Sequence, residues 1–339
     1  MVGQHRAQGY RTGKGWRRGM TDFSAAYKPK QLPKPGAHLF PQQTRRDTRS
    51  AAAKASSAVY RALLLLAMLS APEIGAADSM SSRAQQAPSG KAIAFRLDDV
   101  QDWWLSDVQQ AVIRLFAEKG IRLTLGIIGG YIGEDRQLVD LINGSPLLTL
   151  ASHGLHAKNG ADGRSLLLTQ PATTSRAELS QAGSRIGQLF GARPDVYIPH
   201  QNEFNDALLR LLHDLGYSRL SSSCRWHDKT NKCKDKCGYS TGRAVCGRPD
   251  PLGIVHLPSA ASTQWEPVPG KGIAETQEIL REIDNSMKKY GFTVVMLHPQ
   301  DFSGNDVRLR PDLLHALRLL LERLASDPRN FEFVGLDEI

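Results

Sequence analysis

The sequence predicts an α/β fold, an irregular (β/α) barrel of seven to eight strands, over residues 91–339. Short apolar runs alternate with helical patterns along this region, and strict alternation favours a parallel sheet with crossover helices. Eight such runs in about 250 residues match the usual size of a barrel built from these units. A doubly wound open sheet is the second interpretation. No G-x-G-x-x-G or Walker-type loop follows a strand, so nucleotide-binding folds lose support.

The predicted strands are short apolar runs, several of them ending in a polar residue, and the predicted helices repeat apolar residues every three or four positions. Asn205 is a plausible helix N-cap, Gly216 a helix stop, and Pro311 lies near a helix start. The eight predicted strands are residues 92–97, 122–128, 147–152, 196–198, 218–222, 254–257, 293–297 and 331–336. The six predicted helices are residues 105–117, 135–142, 174–190, 205–215, 273–289 and 311–324.

The region before the barrel has a different composition. Residues 1–60 are rich in Lys, Arg, Gly, Pro, Gln and Ser, which predicts a disordered basic leader. Residues 61–77 combine an arginine, a ten-residue apolar stretch and small residues, as a secretory signal does, and residues 78–90 then form a linker. This position is unusual for a signal peptide, so a translation start placed too far upstream, a membrane-proximal leader and a transit peptide stay open. We expect a secreted protein with a mature N-terminus near Asp78.

The charge is unevenly distributed. The formal net charge is +9, but residues 1–77 carry 13 Lys and Arg against 3 Asp and Glu, whereas residues 78–339 carry 30 against 31. The barrel region is therefore nearly neutral, and we expect no nucleic-acid partner for it. A leader that survived processing would instead recruit anionic surfaces or nucleic acid. No apolar run approaches the 18 or so residues of a bilayer span, so we expect no stable membrane span.

All four cysteines lie in one polar stretch, residues 224–246, which we interpret as a Cys-rich insert in the barrel. Two disulfides would staple such a stretch in a secreted protein, and three connectivities are possible. A four-thiolate zinc site is the alternative, but the C-x2-C pairs typical of such sites are absent. The spacing is C-x8-C-x3-C-x8-C, formed by Cys224, Cys233, Cys237 and Cys246.

Polar residues with metal-binding or acid–base chemistry follow four different predicted strands. In a barrel the carboxyl ends of the strands form one face, where active sites are built. Each residue alone has a plainer interpretation as a turn, a helix cap or a hydrogen-bonded structural histidine. Together they form the inventory of a metal site, since catalytic zinc takes His and carboxylate ligands. These residues are Asp98, Asp99, His153, Pro199, His200 and His298.

Four motifs occur in the order found in the polysaccharide deacetylase, or NodB-homology, family, which residues 91–339 resemble. They are Phe-Arg-Leu-Asp-Asp at 95–99, Ser-His-Gly-Leu-His at 152–156, Tyr-Ile-Pro at 197–199 and Met-Leu-His-Pro-Gln-Asp at 296–301. The opening Arg-Leu-Asp-Asp-x-Gln-Asp-x-Trp-Leu at 96–105 and the Leu-His-Pro-Gln-Asp element resemble one branch of that family.

The resemblance implies an irregular barrel that binds one divalent metal and hydrolyses N- or O-acetyl groups of a polysaccharide or oligosaccharide. By position, Asp99 and His153 match metal ligands, Asp98 the catalytic base, and His298 the acid that protonates the leaving amine. Zn²⁺ suits a His and Asp ligand set better than Mg²⁺ or Ca²⁺. The glycan and the oligomeric state are not readable from the sequence.

The sequence departs from the family pattern at two positions. The family's metal histidines are usually four residues apart, whereas His156 follows His153 at three, and a loop can still present it as the third ligand. Ile198 stands where the family has an arginine that orients the base. Arg96 lies on the same strand face as Asp98 by period two, and we hypothesise that it takes over this role. A catalytically degenerate carbohydrate-binding barrel and a different metal-dependent amide hydrolase are the alternative functions.

The remaining candidates concern the substrate. Trp103 follows a strand end and is a candidate for stacking on a sugar ring, whereas Trp104 fits better in the core. Pro199 and Asp301 are further candidate substrate contacts. His200 stands where this branch more often has proline, which leaves it as a spare ligand, a substrate contact or neither.

Overall fold

The fold is built on one parallel sheet, in a computed structural model that describes residues 91–227, 232–235, 237, 246–265 and 267–339. Within these residues nine strands pair in the order β10–β11–β1–β2–β3–β4–β6–β9, with β12 added beside the first half of β1. Their bounds are β1 Ala92–Val100, β2 Leu123–Ile127, β3 Leu148–Ser152, β4 Val196–Tyr197, β6 Arg219–Leu220, β9 Val255–His256, β10 Ser259–Ser262, β11 Phe292–Leu297 and β12 Glu332–Val334.

Within the described residues, six α-helices connect these strands and cover the sheet. An αL glycine follows the first, third and fifth helices, as is usual at helix C-termini, whereas Asp135 and Asn205 cap the second and fourth at their N-termini. The helices are α1 Ser106–Lys119, α2 Arg136–Asn143, α3 Ala172–Phe190, α4 Asp206–Asp214, α5 Thr276–Tyr290 and α6 Pro311–Ala325.

The central strands explain why the sheet folds this way. Every residue of β2 and β11 is buried, and β1 is buried throughout except at Asp99. Strands buried on both faces read as continuous apolar runs rather than as alternating patterns, because helices cover both sides of a parallel sheet. The largest core cluster joins these strands to α1 and α6 through residues such as Phe95, Phe116 and Leu320.

The predicted (β/α) barrel is confirmed as a parallel sheet of curled half-barrel form. All eight predicted strands and all six predicted helices are present, and Asn205 caps α4 through a hydrogen bond to the amide of Leu208. The ninth strand, β10, was missed because Ser-Ala-Ala-Ser lacks the β-branched and aromatic residues that mark a strand. Among the described residues β9 and β10 do not pair, so the barrel stays open between them.

The Cys-rich stretch was interpreted as a polar loop, but its described residues contain strands. Two strands of this stretch pair antiparallel, and the first also pairs with a short strand that follows β4. These strands are β5 Glu203–Phe204, β7 Cys224–His227 and β8 Lys232–Asp235. Cys237 and Cys246 form a disulfide with Cα atoms 5.6 Å apart, whereas the side chains of Cys224 and Cys233 lie outside the described residues.

The expectations for residues 1–90, namely the leader, the signal-like segment and the linker, lie outside the described residues and stay predictions. In the part of the chain that the structure describes, no helix has the length and apolar character that a membrane span requires.

Candidate metal and catalytic centre

The polar residues predicted to gather at one edge of the sheet do so. Strands β1, β3, β4 and β11 run parallel, so their carboxyl ends lie on the same side of the sheet. Asp98 and Asp99 come from β1, His153 follows β3, His200 follows β4, and His298 follows β11. Residues up to 200 positions apart in the sequence thereby contact one another.

A bulge in β1 brings its two carboxylates to this edge together. Successive residues of a regular strand face opposite sides of the sheet. Asp99 instead adopts a left-handed conformation with φ 61°, and the pairing of β1 with β2 shifts register between Leu97 and Val100. Bulges of this kind re-aim side chains beside active sites. The strand therefore continues past the two aspartates to Val100, whereas the sequence placed its end at Leu97.

Asp99, His153 and His200 form a cluster of metal-ligand type. One ligand atom from each of the three side chains lies within 4.8 Å of the other two. Nε2 of His153 is 3.2 Å from Oδ1 of Asp99, and the rings of His153 and His200 are 6.1 Å apart. The Ile198 carbonyl oxygen is 2.8 Å from Nδ1 of His153, so Nδ1 carries a proton, and Nε2, which faces Asp99, is the nitrogen that would bind a metal.

The cluster fits a divalent metal of zinc type. Two imidazoles and one carboxylate are the donor set of many catalytic zinc sites, which leave a further position for water or substrate. A metal-bound histidine usually binds the metal through one ring nitrogen and donates from the other to a carbonyl or carboxylate oxygen. His153 has this arrangement, with the Ile198 carbonyl as the acceptor. Gln300 adds a second outer contact, since its Nε2 donates to Oδ2 of Asp99 over 3.3 Å.

The charged groups of this cluster shift one another's pKa values. Burial alone would raise the pKa of Asp99, but the hydrogen bond and positive charge of His153 lower it well below its ordinary range. Burial likewise opposes protonation of His153, yet its hydrogen bond and attraction to Asp99 raise its pKa. Burial, together with the neighbouring charge of His153, lowers the pKa of His200 to about 4. His200 is therefore neutral at pH 7, as a metal-binding imidazole must be.

The structure does not bring His156 into this cluster. Among the described residues the cluster comprises Asp99, His153 and His200, and His200 stands where the sequence analysis placed His156. The His156 ring lies 5.3 Å from the ring of Tyr131 and packs against Gly130, in the turn that follows β2. The shortened spacing, three residues rather than four, gives a physical reason, because the loop after β3 turns His156 toward β2 and its connection.

Arg96 is paired with the predicted base. Its guanidinium is fully buried and lies 3.1 Å from Oδ2 of Asp98. It also donates to Oγ and the carbonyl oxygen of Ser221 and to Oδ1 of Asn202. Burial lowers the pKa of Arg96, but the attraction of Asp98 and Asp99 opposes this shift. The expected position of Arg96 beside Asp98 is thus what the structure has.

His298 lies on the other side of Asp98. Its Nε2 is 3.8 Å from Oδ2 of Asp98. The Asp301 carboxylate accepts from the backbone amide of His298 and from the hydroxyl of Thr263, and it lies 3.9 Å from Nδ1 of His298. Burial raises the pKa of Asp301 to about 6. The sequence analysis gave Asp301 as a candidate substrate contact, but it is fully buried and its carboxylate instead holds the backbone of His298.

The remaining predicted substrate contacts differ in exposure. Trp103 follows β1 and is 59% exposed, whereas Trp104 is partly buried against the core, as expected. Trp265 is 44% exposed, and its indole N–H donates to Glu282. Pro199 is buried and begins the short turn that carries His200.

Sequence reasoning missed the polar residues that form hydrogen bonds to the candidate site residues. Asn202, Ser221, Thr263 and Asn159 carry no motif, because a Ser, Thr or Asn in a loop usually reads as turn chemistry. The one available signal was position, since Asn202 and Ser221 each come within a few residues of a predicted strand end.

Comparison with known families confirms the resemblance over part of the chain. Residues 85–220 match the family model described as polysaccharide deacetylase. This segment includes Arg96, Asp98, Asp99, His153 and His200, and it ends before His298. No curated protein sequence matches the chain.

The chain is also similar to solved structures. A candidate polysaccharide deacetylase from Mycobacterium smegmatis aligns with a TM-score of 0.53 at 16% identity, over 75% of this chain and 90% of that one. A family 4 carbohydrate esterase from Streptomyces lividans, in complex with acetate, aligns with a TM-score of 0.43 at 15% identity, over 72% and 97%. A family 4 pseudoenzyme from Bacillus anthracis aligns at 0.45 and 13%, over 74% and 67%. The first alignment supports the fold.

Proposed function

We propose that this protein, whose residues 85–220 match the polysaccharide deacetylase family, is a secreted metal-dependent hydrolase. Its substrate would be an acetylated polysaccharide or oligosaccharide, from which it removes N- or O-acetyl groups. The observation that carries the proposal is the meeting of Asp98, Asp99, His153, His200 and His298 at one edge of the sheet. This edge combines a metal-type donor set with a separate carboxylate–imidazole pair.

Asp99, His153 and His200 would hold the metal. A divalent zinc-type ion in such a site lowers the pKa of water to about 7 and polarises a carbonyl group. The assignment of His200 in place of His156 rests on the cluster geometry described above. Ile198 and Gln300 support it from outside, through the hydrogen bonds to His153 and Asp99.

Asp98 would act as the general base. Its Oδ2 faces Arg96 and His298, and within the described part of the chain its buried Oδ1 has no hydrogen-bond partner. A buried carboxylate oxygen without a donor is an open proton acceptor. Asp98 would take the proton of the water that attacks the acetyl carbonyl, while Arg96 keeps the carboxylate in place.

His298 would act as the general acid. It lies beside Asp98 and is fixed at its backbone by Asp301, which also touches Thr263. As the carbon–nitrogen or carbon–oxygen bond breaks, His298 would donate its proton to the leaving amine or alkoxide. Trp103, exposed directly after β1, is the proposed stacking surface for a sugar ring.

The test is acetate release from an acetylated oligosaccharide, measured with zinc supplied and again after chelation. We expect release by the wild type with zinc, and a loss of at least about 100-fold in Asp98→Asn, because one positioned base contributes about 10²- to 10⁴-fold. Asp98→Asn retains the three proposed ligands, so it serves as a metal-binding control. Zinc binding without acetate release by the wild type would support the carbohydrate-binding alternative and contradict the proposal.

A further inference from the structure

His200 reaches the proposed metal site from a loop that has no helix or long strand to hold it. Strand β4 ends at Tyr197, and His200 begins a single turn of 3-10 helix that ends at Asn202. The ring is only half-buried. A ligand on so short a turn needs a partner that fixes its ring. Without one, metal binding would cost the conformational entropy of a freely rotating imidazole.

That partner is Asn159, on the loop that follows β3. Oδ1 of Asn159 lies 2.8 Å from Nε2 of His200. The same oxygen accepts a hydrogen bond from Nε2 of Gln201, also over 2.8 Å. An amide oxygen has two lone pairs and no proton, so both neighbours must be donors. Nε2 of His200 therefore carries the ring proton.

The protonated nitrogen of a neutral imidazole cannot bind a metal, which leaves Nδ1 of His200 as the ligand atom. His153 shows the same arrangement with its nitrogens exchanged, because the carbonyl of Ile198 holds Nδ1 and leaves Nε2 toward Asp99. Each histidine of the cluster is thus held at one nitrogen by an oxygen from a neighbouring loop.

We propose that Asn159 is a positioning residue of this site: it fixes the tautomer and ring orientation of His200 and so makes the loop after β4 a source of the third metal ligand. The inference rests on the proposed metal-dependent function. The loop after β3 then contributes one ligand, His153, and it also contributes Asn159, which holds the ligand His200.

The conformation of the β4 loop agrees with this assignment. Gln201 and Asn202 both have φ 57°, a left-handed conformation that non-glycine residues rarely adopt. Two such residues in succession persist only where surrounding contacts impose them. Here Gln201 donates to Asn159, while Asn202 accepts from Arg96, so contacts to both halves of the site hold the turn that carries His200.

The experiment measures zinc affinity of the full-length protein by calorimetry, with zinc alone as the probe. Outer-shell partners of metal-bound histidine are worth about 10- to 100-fold in affinity, and we expect Asn159→Ala to weaken zinc binding by that factor. Asn159→Asp keeps the acceptor oxygen and should bind zinc at least as tightly as the wild type. Asn159 is exposed, so these variants should fold, and circular dichroism checks that they do.

The matched control is Asn143→Ala, the same substitution at an exposed asparagine that ends α2, on the side of the sheet where β3 begins. Its zinc affinity should stay close to that of the wild type. In the metal-free protein, nitrogen NMR of the His200 ring should show the Nε2–H tautomer, and Asn159→Ala should lose that preference.

Two outcomes would overturn the inference, and they differ. If the wild type binds zinc and Asn159→Ala binds it equally well, the positioning role is wrong and the proposed function stands. If the wild type binds no zinc, the inference and the metal-dependent function fail together.

Discussion

Arg96 shows at the scale of one residue how this site differs from the family pattern that it resembles. A fully buried guanidinium is costly unless each donor finds an acceptor. The two terminal nitrogens of Arg96 contact Asp98, both oxygens of Ser221, Asn202 and the sulfur of Met296, which is 3.1 Å away. Its buried Nε has no hydrogen-bond partner among the described residues. Ile198 stands where the family has an arginine. Because the side chain of Ile198 is apolar and buried, it cannot pair with Asp98, and Arg96 forms that ion pair instead.

Replacing Arg96 should therefore cost stability as well as activity. Arg96→Met removes the partner of buried Asp98, and breaking one side of a buried pair typically costs roughly 3–5 kcal/mol. Arg96→Lys should rescue little, because an ammonium group cannot reproduce the planar fork. Urea unfolding measures the change, with exposed Arg308→Met as the control. A loss below roughly 1 kcal/mol, as for a surface pair, would contradict the buried role.

The histidines show where residue-level reasoning from the sequence ends. His153 and His298 directly follow strand ends, Asp98 and Asp99 lie in the last residues of β1, and the sequence analysis found all four from their position after apolar runs. The choice between His156 and His200 depends instead on how two loops turn. Loop conformation is set by contacts such as the one from His200 to Asn159, and no period or spacing reports these contacts.

At the scale of elements, the sequence predicted most of the fold because the strands and helices follow simple periods. Buried strands such as β2 and β11 are continuous apolar runs, and helices end at glycines such as Gly120 and Gly291. The elements that it missed are short or made of small polar residues. β5 has two residues, β10 is Ser-Ala-Ala-Ser, and neither carries a periodic pattern.

A buried ion pair beside β9 predicts that the free energy of unfolding depends on pH. Asp250 and His256 form a buried pair 2.9 Å apart. Burial would raise the pKa of Asp250, but hydrogen bonds from His256 and from the amides of Ile254 and Leu252 lower it overall. A carboxylate with a depressed folded-state pKa contributes stability above its unfolded pKa of about 4, and this contribution is lost as pH falls through the folded value.

Asp250→Asn should accordingly lower the free energy of unfolding at pH 7, by about 1–3 kcal/mol for a charge-assisted hydrogen bond. The difference from wild type should shrink as the pH falls below about 4, because the unfolded chain takes up a proton at Asp250 before the folded protein does. Urea unfolding of both proteins at neutral and acidic pH measures this. A difference that is constant with pH would show that Asp250 contributes through packing alone.

At the scale of the whole molecule, the parallel arrangement of the sheet brings the site together. Strands β1, β3, β4 and β11 contribute one or two residues each, and their common direction places those residues at one edge. The sequence predicted this gathering because it follows from the fold class. The opening between β9 and β10 and the hairpin of the Cys-rich stretch depend on local pairing, which the fold class leaves undetermined.

The central claim is that the loops after β3 and β4, together with β1, build one metal site. The most direct measurement is the zinc content of the purified full-length protein, compared among the wild type, His200→Ala and His156→Ala. The account predicts about one zinc per chain in the wild type and in His156→Ala, and its loss in His200→Ala, because a catalytic zinc needs three protein ligands. Loss of zinc in His156→Ala with retention in His200→Ala would contradict the account.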